Sequence, residues 1–249
     1  MTTFHEHAFY LVPVRKAVHE IETALWNKST HLNMSNLGLT GWPDLPSRFR
    51  SIDLSHNALR AIPTMHAPLT HLDLSNNKLK TIAEGDLPWS LEVLTLNGNQ
   101  ITEISWLPPS LKELHVRNNK LTRICALPPG LKVADFAHNQ LETLPELPAS
   151  LTKLYVGRNC LKSLPPLPPS LEELSVCYNQ LTVLGEVPRG LRELDVSANR
   201  LTELPESIRD CVRLERLWHV DCPLVRPPLG AIQTPPLPVE AADLGNSSE

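Results

Sequence analysis

The sequence lacks any apolar run long enough to cross a lipid bilayer. No stretch of about eighteen consecutive apolar residues occurs in the 249-residue chain. The first twenty-five residues carry His5, Glu6, Arg15, Lys16 and Glu20, where a secretory signal peptide needs an apolar core. We therefore expect neither membrane insertion nor a leader of that kind.

Positive charge is not in excess. The chain has 23 Lys and Arg against 27 Asp and Glu, a net charge of −4, and it contains no long basic run. A protein that binds the phosphate backbone of nucleic acids needs clustered positive charge, because much of the affinity comes from displaced counterions. The composition therefore predicts that nucleic acid is not a partner.

Cysteine is scarce and is not arranged in pairs. Secreted eukaryotic repeat proteins close their ends with clustered cysteines, and neither end of this chain has such a cluster. An odd and scattered set predicts free thiols and a reducing compartment. The five cysteines are Cys125, Cys160, Cys177, Cys211 and Cys222.

What the sequence does contain is a strict period of twenty residues. Each copy follows the pattern L-x-x-L-x-[LVF]-x-x-N-x-[LI]-x-x-[LI], with Ala134 as the exception at a fourth position. Such a unit cannot bury its apolar side alone, so copies must stack. The period therefore predicts a leucine-rich repeat solenoid. The copies begin at Leu91, Leu111, Leu131, Leu151, Leu171 and Leu191.

The pattern continues on both sides of these copies. Earlier units begin at Ser29, Phe49 and Leu69, and a decayed unit begins at Leu214. Two units are longer than twenty residues, because Leu91 follows Leu69 by 22 and Leu214 follows Leu191 by 23. We predict a helical cap at 1–28, nine repeats at 29–213, and a closing repeat with a proline-rich, disordered tail at 214–249.

The predicted cap is an amphipathic helix at residues 13–26. Val14, Val18, Ile21 and Leu25 recur there at helical spacing. The first strand of a solenoid otherwise exposes its edge and its leucines to water. We expect the apolar face of the helix to cover that strand.

Each repeat should place a short parallel strand on the inner face, with leucines turned into the core and positions two, three and five turned outward. The Asn at the ninth position stands where the chain turns inward. Its amide is expected to bond backbone groups of its own turn and the neighbouring turn. Leu37 and Cys222 replace this Asn in the first and last units.

The outer half of most repeats is rich in proline, as in LKSLPPLPPS at 161–170. Proline removes a backbone donor and fixes φ, which predicts an extended or polyproline II outer path without helices. The proline-free segment from Glu206 to Arg213 is the exception and predicts a helical turn.

The repeats resemble the leucine-rich repeat domains of bacterial type III secreted effectors, of the invasion plasmid antigen H (IpaH) and Yersinia outer protein M type. The resemblance covers about residues 1–225. The matching segments are LPPSLKELHVRNNKLTRI at 107–124, LPASLTKLYVGRNCLKSL at 147–164 and LPESIRDCVRLERLWHVDCPL at 204–224.

The resemblance implies a non-catalytic, protein-binding domain that the bacterium secretes into the host-cell cytoplasm, where it recognises a host protein. In ligase members of the family a separate C-terminal domain supplies a catalytic Cys in a C-x-D motif. None of the five cysteines here has Asp two positions later. The alternative is therefore the substrate-recognition domain of an effector E3 ubiquitin ligase. An intracellular scaffold unrelated to effectors is a third hypothesis.

Two short motifs contain residue types used in catalysis or metal binding. In HVDC at 219–222, His219 should replace an inward leucine and Cys222 a turn Asn, so the two are not expected to face solvent together. His5 and His7 lack a second pair of ligands and lie in a terminal segment expected to be loose. We predict no catalytic residue, metal or cofactor.

The inner face departs from its plain form in four consecutive repeats. The plain form is Asp-x-Ser, as at Asp53 and Ser55, which should make a smooth, solvated surface. Between Leu111 and Asn179 larger or differently charged side chains replace it. They are His115, Arg117, Asp135, His138, Tyr155, Arg158, Cys177 and Tyr178.

These eight residues are the predicted partner-binding patch. Equivalent positions of neighbouring repeats lie one strand apart. Tyr and Arg are enriched among residues that dominate binding energy at interfaces. The competing hypothesis is that outward positions vary freely without function. We expect these side chains to form two columns across the repeats. One column is His138, Arg158 and Tyr178, and the other is His115, Asp135 and Tyr155.

Overall fold

The computed structural model describes residues 3–41, 45–62 and 68–225, with side chains from residue 13 onward. A helix, α1, spans Thr3–Trp26, and a 3-10 helix spans Glu206–Asp210. Within these ranges the strands are β1 (His31–Asn33), β2 (Ser51–Asp53), β3 (His71–Asp73), β4 (Thr81–Ile82), β5 (Val93–Thr95), β6 (Glu103–Ile104), β7 (Glu113–His115), β8 (Arg123–Ile124), β9 (Val133–Asp135), β10 (Lys153–Tyr155), β11 (Glu173–Ser175), β12 (Glu193–Asp195) and β13 (Arg216–Trp218).

Ten of these strands form one parallel sheet, in the order β1-β2-β3-β5-β7-β9-β10-β11-β12-β13. The sequence period becomes the register of this sheet, since Leu154 pairs with Ala134 on one side and Leu174 on the other. The two longer units keep the same register, with His71 opposite Val93 and Glu193 opposite Arg216. Their extra residues therefore lie outside the strands. The predicted solenoid with parallel strands on one face is confirmed.

Leucines at the first, fourth and eleventh positions fill the core between the sheet and the outer path. Leu151, Leu154 and Leu161 are fully buried, as is Val156 at the sixth position. Burying side chains of this size stabilises the fold by about 1.5–3 kcal/mol each. One continuous core therefore runs along the solenoid.

The Asn ladder is confirmed. The amide of Asn139 donates to the carbonyls of Val116 (2.9 Å) and Phe136 (3.0 Å), and its oxygen accepts from the backbone N–H of Leu121 (2.9 Å). One side chain thus satisfies buried peptide groups of two repeats. The equivalent contacts recur at Asn57, Asn77, Asn99, Asn119, Asn159, Asn179 and Asn199.

A second sheet, β4-β6-β8, lies on the outer side of three consecutive repeats. The N–H of Ser105 donates to Ile82 O (3.1 Å), and the N–H of Cys125 donates to Ile104 O (2.8 Å). In the next repeat this position is Pro145, which has no N–H to donate. The expected extended outer path is therefore supplemented by strands in these three repeats.

The buried face of α1 differs from the predicted one. Val14 and Val18 are 45% and 40% exposed, whereas Ala17 and Ile21 are buried and Leu25 packs against the core. The buried face therefore includes Ala17 and Ile21, and the two valines lie outside it. The prediction of a helix was correct, and half of the predicted face was wrong.

The ends of the chain also differ from expectation. The helix begins at Thr3, ahead of its predicted start at residue 13, so the backbone of residues 5–7 is helical and the expectation of a loose segment is wrong. The predicted disordered tail beyond residue 225 lies outside the described residues. Neither described helix combines the length and apolar character needed to cross a bilayer.

Candidate functional site

The eighth position of each repeat follows the strand and has a left-handed backbone. Residues with a side chain are disfavoured there by roughly 1–2 kcal/mol, apart from Asn and Asp, which tolerate it better. Arg158 and Tyr178 thus occupy positions that the backbone alone would give to Asn or Gly. The φ angle lies between 52° and 66° at Asn36, His56, Asn76, Gly98, Asn118, His138, Arg158, Tyr178, Ala198 and Asp221.

Arg158 and Tyr178 are in direct contact on the inner face. The guanidinium carbon of Arg158 lies 4.3 Å from the centroid of the Tyr178 ring. The ring is 41% exposed, although it belongs to a large side chain next to a buried core. A cation over an aromatic face is stabilised by about 0.5–1 kcal/mol at such sites. The two side chains are therefore held together in a fixed arrangement.

Arg117 extends this arrangement by one repeat. Its Nη2 atom lies 3.4 Å from Nε2 of His138, which follows it across neighbouring strands. Burial lowers the pKa of His138, and the charges of Arg117 and Arg158 lower it further. The row Arg117, His138, Arg158 and Tyr178 is called here the cationic edge. Sequence reasoning named all four residues but did not place Arg117 beside His138.

The second predicted column, His115, Asp135 and Tyr155, is in register across β7, β9 and β10. Burial raises the pKa of the Asp135 carboxyl, while a hydrogen bond from the Ala137 N–H and the charges of Arg117 and His115 act in the opposite direction. The column therefore places Asp135 beside the cationic edge.

Asp135 also has a structural role that the sequence did not reveal. Its Oδ1 accepts a hydrogen bond from the backbone N–H of Ala137 (3.0 Å), which closes the turn after the strand. Asp135 thus belongs to the predicted patch and also makes the turn hydrogen bond that is found in the plain repeats. The same bond is made by Asp53, Asp73 and Asp195 in the plain repeats.

Tyr155 forms a cluster with two residues that sequence reasoning missed. Its hydroxyl donates to the carboxylate of Glu173, and Lys153 Nζ lies 2.7 Å from the other oxygen of that carboxylate. Burial raises the pKa of Tyr155, and Glu173 raises it further. The missed signal was the opposite charge of Lys153 and Glu173 at the third positions of adjacent repeats, twenty residues apart.

Cys177 lies against the preceding repeat and is not a fully exposed residue of the predicted patch. A Cβ atom on Gly157, at the same position of the preceding repeat, would lie 2.8 Å from Cys177 Sγ. Burial, followed by the charge of Asp195, raises the pKa of Cys177 to about 11. The thiol therefore stays protonated at neutral pH.

The same packing corrects the expectation of a smooth, solvated N-terminal face. Ser55 and Ser75, at the seventh position, are each only 8% exposed. Seventh positions of adjacent repeats lie close together, since a Cβ atom on Gly157 would come within 2.8 Å of Cys177 Sγ. The serines of the plain face are therefore largely buried.

The HVDC segment is not arranged for catalysis. Cys222 Sγ donates to Val196 O (3.1 Å), the carbonyl of the preceding repeat that a ladder Asn would bond. Burial raises the pKa of this thiol, which opposes formation of a nucleophilic thiolate. Among the residues that the structure describes, no cluster of three or more His, Cys, Asp or Glu side chains is suited to a metal ion.

Two family models match parts of the repeat region. One, described as leucine-rich repeats in two copies, matches residues 69–109 and 89–129, and a single leucine-rich repeat model matches residues 190–211. The chain is a leucine-rich repeat protein. No curated protein sequence matches it.

Solved structures of bacterial effectors are similar to this leucine-rich repeat chain. YopM, a leucine-rich effector protein from Yersinia pestis, is 35% identical over 77% of this chain, with a TM-score of 0.71. YopM from Yersinia enterocolitica is 29% identical over 77% of it, with a TM-score of 0.53. The alignments cover 56% of each Yersinia chain. A Shigella effector domain is 28% identical over 78% of this chain and 70% of its own, with a TM-score of 0.44.

Proposed function

We propose that this leucine-rich repeat chain is a non-catalytic, protein-binding domain of a bacterial effector, and that it recognises a host protein in the host-cell cytoplasm. Its similarity to the leucine-rich effector of Yersinia pestis supports the effector assignment. The binding surface is the inner face of the middle repeats.

The contact between Arg158 and Tyr178 carries this proposal. Both residues stand at left-handed positions, which the backbone alone would give to Asn or Gly. They are also stacked before any partner arrives, so less side-chain entropy is lost on binding. Arg and Tyr in such a fixed, half-exposed arrangement are typical of residues that dominate binding energy.

Photo-crosslinking from single positions tests the location of the binding face. Tyr178 is replaced by p-benzoylphenylalanine in one protein and Val183 in another. Both positions belong to the same repeat, and Val183 is 71% exposed on the outer side. In host lysate we expect position 178 to capture one defined protein and position 183 not to capture it. The reverse pattern would place recognition on the outer side.

Affinity for the captured protein then tests the two side chains. Replacing Arg158 and Tyr178 by Ala together should weaken binding by about 2 kcal/mol or more, measured by calorimetry with the purified partner. The melting temperature should change little, because neither side chain belongs to the core. Unchanged affinity in this double variant would contradict the proposal.

A further inference from the structure

Charge on the inner face is divided between two neighbouring groups of repeats. The inner face here means positions two, three, five, seven and eight. In the repeats that begin at Leu111, Leu131 and Leu151, these positions hold five cationic residues and two acidic ones. They are Lys112, Arg117, Lys132, Lys153 and Arg158 against Glu113 and Asp135.

The next three repeats have the opposite balance, with six acidic residues against two cationic ones. Since the whole chain carries a net charge of −4, the positive region is local and is bounded by negative charge on its C-terminal side. The residues are Glu172, Glu173, Glu193, Asp195, Glu215 and Asp221 against Arg192 and Arg216.

Two lysines of the positive group pair with carboxylates. Lys112 lies 2.8 Å from Glu92, and Lys153 lies 2.7 Å from Glu173, so each lysine is matched by a carboxylate of the adjacent repeat. In the cationic edge, Arg117 contacts His138 and Arg158 contacts the Tyr178 ring. The edge thus places one guanidinium group in the repeat before His138 and another in the repeat after it.

We infer that the cationic edge binds an acidic segment of the partner protein, whose carboxylates are received by Arg117 and Arg158 on either side of His138. This inference rests on the proposed function, because it names the chemistry of the partner at the same face. Guanidinium groups accept carboxylates through two parallel hydrogen bonds, which gives a strong and directional contact.

The acidic repeats set the position of that segment. Like charges opposed across an interface cost several kcal/mol, so an acidic segment would end before the repeat that begins at Leu171. A nucleic acid would continue its charge into these acidic repeats, which favours a short protein segment instead. The charge pattern of the inner face therefore limits both the length and the charge of the segment that binds.

Fluorescence anisotropy with a labelled probe tests this inference. The probe is a short peptide of alternating Glu and Tyr, compared with the same peptide in which Gln replaces each Glu. We expect the Glu peptide to bind the full chain at least about tenfold more tightly than the Gln peptide, and to weaken as salt rises. Equal binding of the two peptides would overturn the inference.

Matched variants assign the binding to the cationic edge. Arg117→Gln with Arg158→Gln should weaken binding of the Glu peptide by about tenfold or more. Lys78→Gln with Lys80→Gln removes the same charge from exposed positions of a plain repeat and should change binding by less than about twofold. An equal loss in both variants would show that only net charge matters and would overturn the inference.

The outcomes separate this inference from the proposed function. If crosslinking at position 178 captures a protein but the Glu peptide does not bind, the face is a binding site and its acidic preference is wrong. If a single-stranded DNA oligonucleotide binds as tightly as the Glu peptide and depends on the same arginines, the preference for a protein segment is wrong. Circular dichroism of each variant verifies that the repeats remain folded.

Discussion

The eighth and ninth positions of the repeats are adjacent in the chain and are used in opposite ways. The ninth is Asn in eight successive repeats, because its amide bonds backbone groups that would otherwise be buried without partners. The eighth shares one backbone conformation but carries Asn, His, Gly, Arg, Tyr, Ala and Asp in turn. The fold therefore dictates a side chain only where the backbone needs its hydrogen bonds.

The ends of the solenoid agree with this distinction. The ninth position is Leu37 in the first repeat and Cys222 in the last. Cys222 bonds Val196 O through Sγ, where a ladder Asn uses its amide. Leu37 follows α1 and has no earlier repeat for an Asn to bond, whereas Cys222 follows a full repeat and bonds it through a thiol.

The largest expected effect comes from breaking the ladder in the interior. Asn139→Ala removes the acceptor of the buried Leu121 N–H and the donor to the carbonyls of Val116 and Phe136. We expect a loss of about 1–3 kcal/mol in the free energy of unfolding, measured by urea titration. Cys222→Ala should cost less, because a thiol is a weaker donor and acceptor than an amide.

The reverse ranking would mean that the last repeat depends on its ninth position more than an interior repeat does. Asn139→Asp sharpens the test. An Asp keeps the oxygen that accepts from the Leu121 N–H but cannot donate to Val116 O. It should therefore also destabilise, although its size is unchanged.

The sequence was sufficient for the features that the period controls. The register of the ten strands and the Asn ladder both depend on identical residues at identical positions. The buried face of α1 could not be read in this way, because a helix outside the repeats has no second copy to compare. The structure buries Ala17 and exposes Val14 and Val18, and helical spacing with apolar side chains alone favoured the valines.

The candidate site was predictable in part for the same reason. Residues at one position of adjacent repeats, such as Arg158 and Tyr178, were placed together correctly. Contacts between different positions were not, since Arg117 reaches His138 from the seventh position to the eighth. The outer strands were also missed, although their signal is the replacement of a proline by Ser105 or Cys125. The twenty-residue period does not predict contacts between different positions, nor the strands that form where a repeat lacks an outer proline.

A smaller effect of opposite sign is expected at the eighth position. Ala198 has a φ of 52°, so Ala198→Gly should raise the free energy of unfolding by about 0.5–1 kcal/mol, as glycine adopts this conformation without strain. Ala137→Gly is the matched control at a seventh position without positive φ, and it should lower stability by a similar amount. Urea titration of both variants measures the two signs. If Ala198→Gly destabilises like the control, the left-handed backbone does not explain the freedom of the eighth position.

The smallest expected effect is the pH dependence that His138 contributes to stability. Burial, and then Arg117 and Arg158, lower its pKa in the folded protein, while the unfolded imidazole titrates near about 6.5. Below that value the unfolded chain binds more protons, so stability should fall as pH drops from about 6.5 toward the lowered pKa, with no contribution above that window. His138→Asn, which tolerates the left-handed backbone, should reduce the stability lost between about pH 7.5 and pH 5.5, and Arg117→Gln should reduce it less, because Arg158 still faces the ring. Urea titrations of the three proteins at both pH values measure these differences. If His138→Asn loses as much stability between these pH values as the native protein, other groups carry the pH dependence. The residue at the eighth position would then have no effect on folding, as its variety suggests.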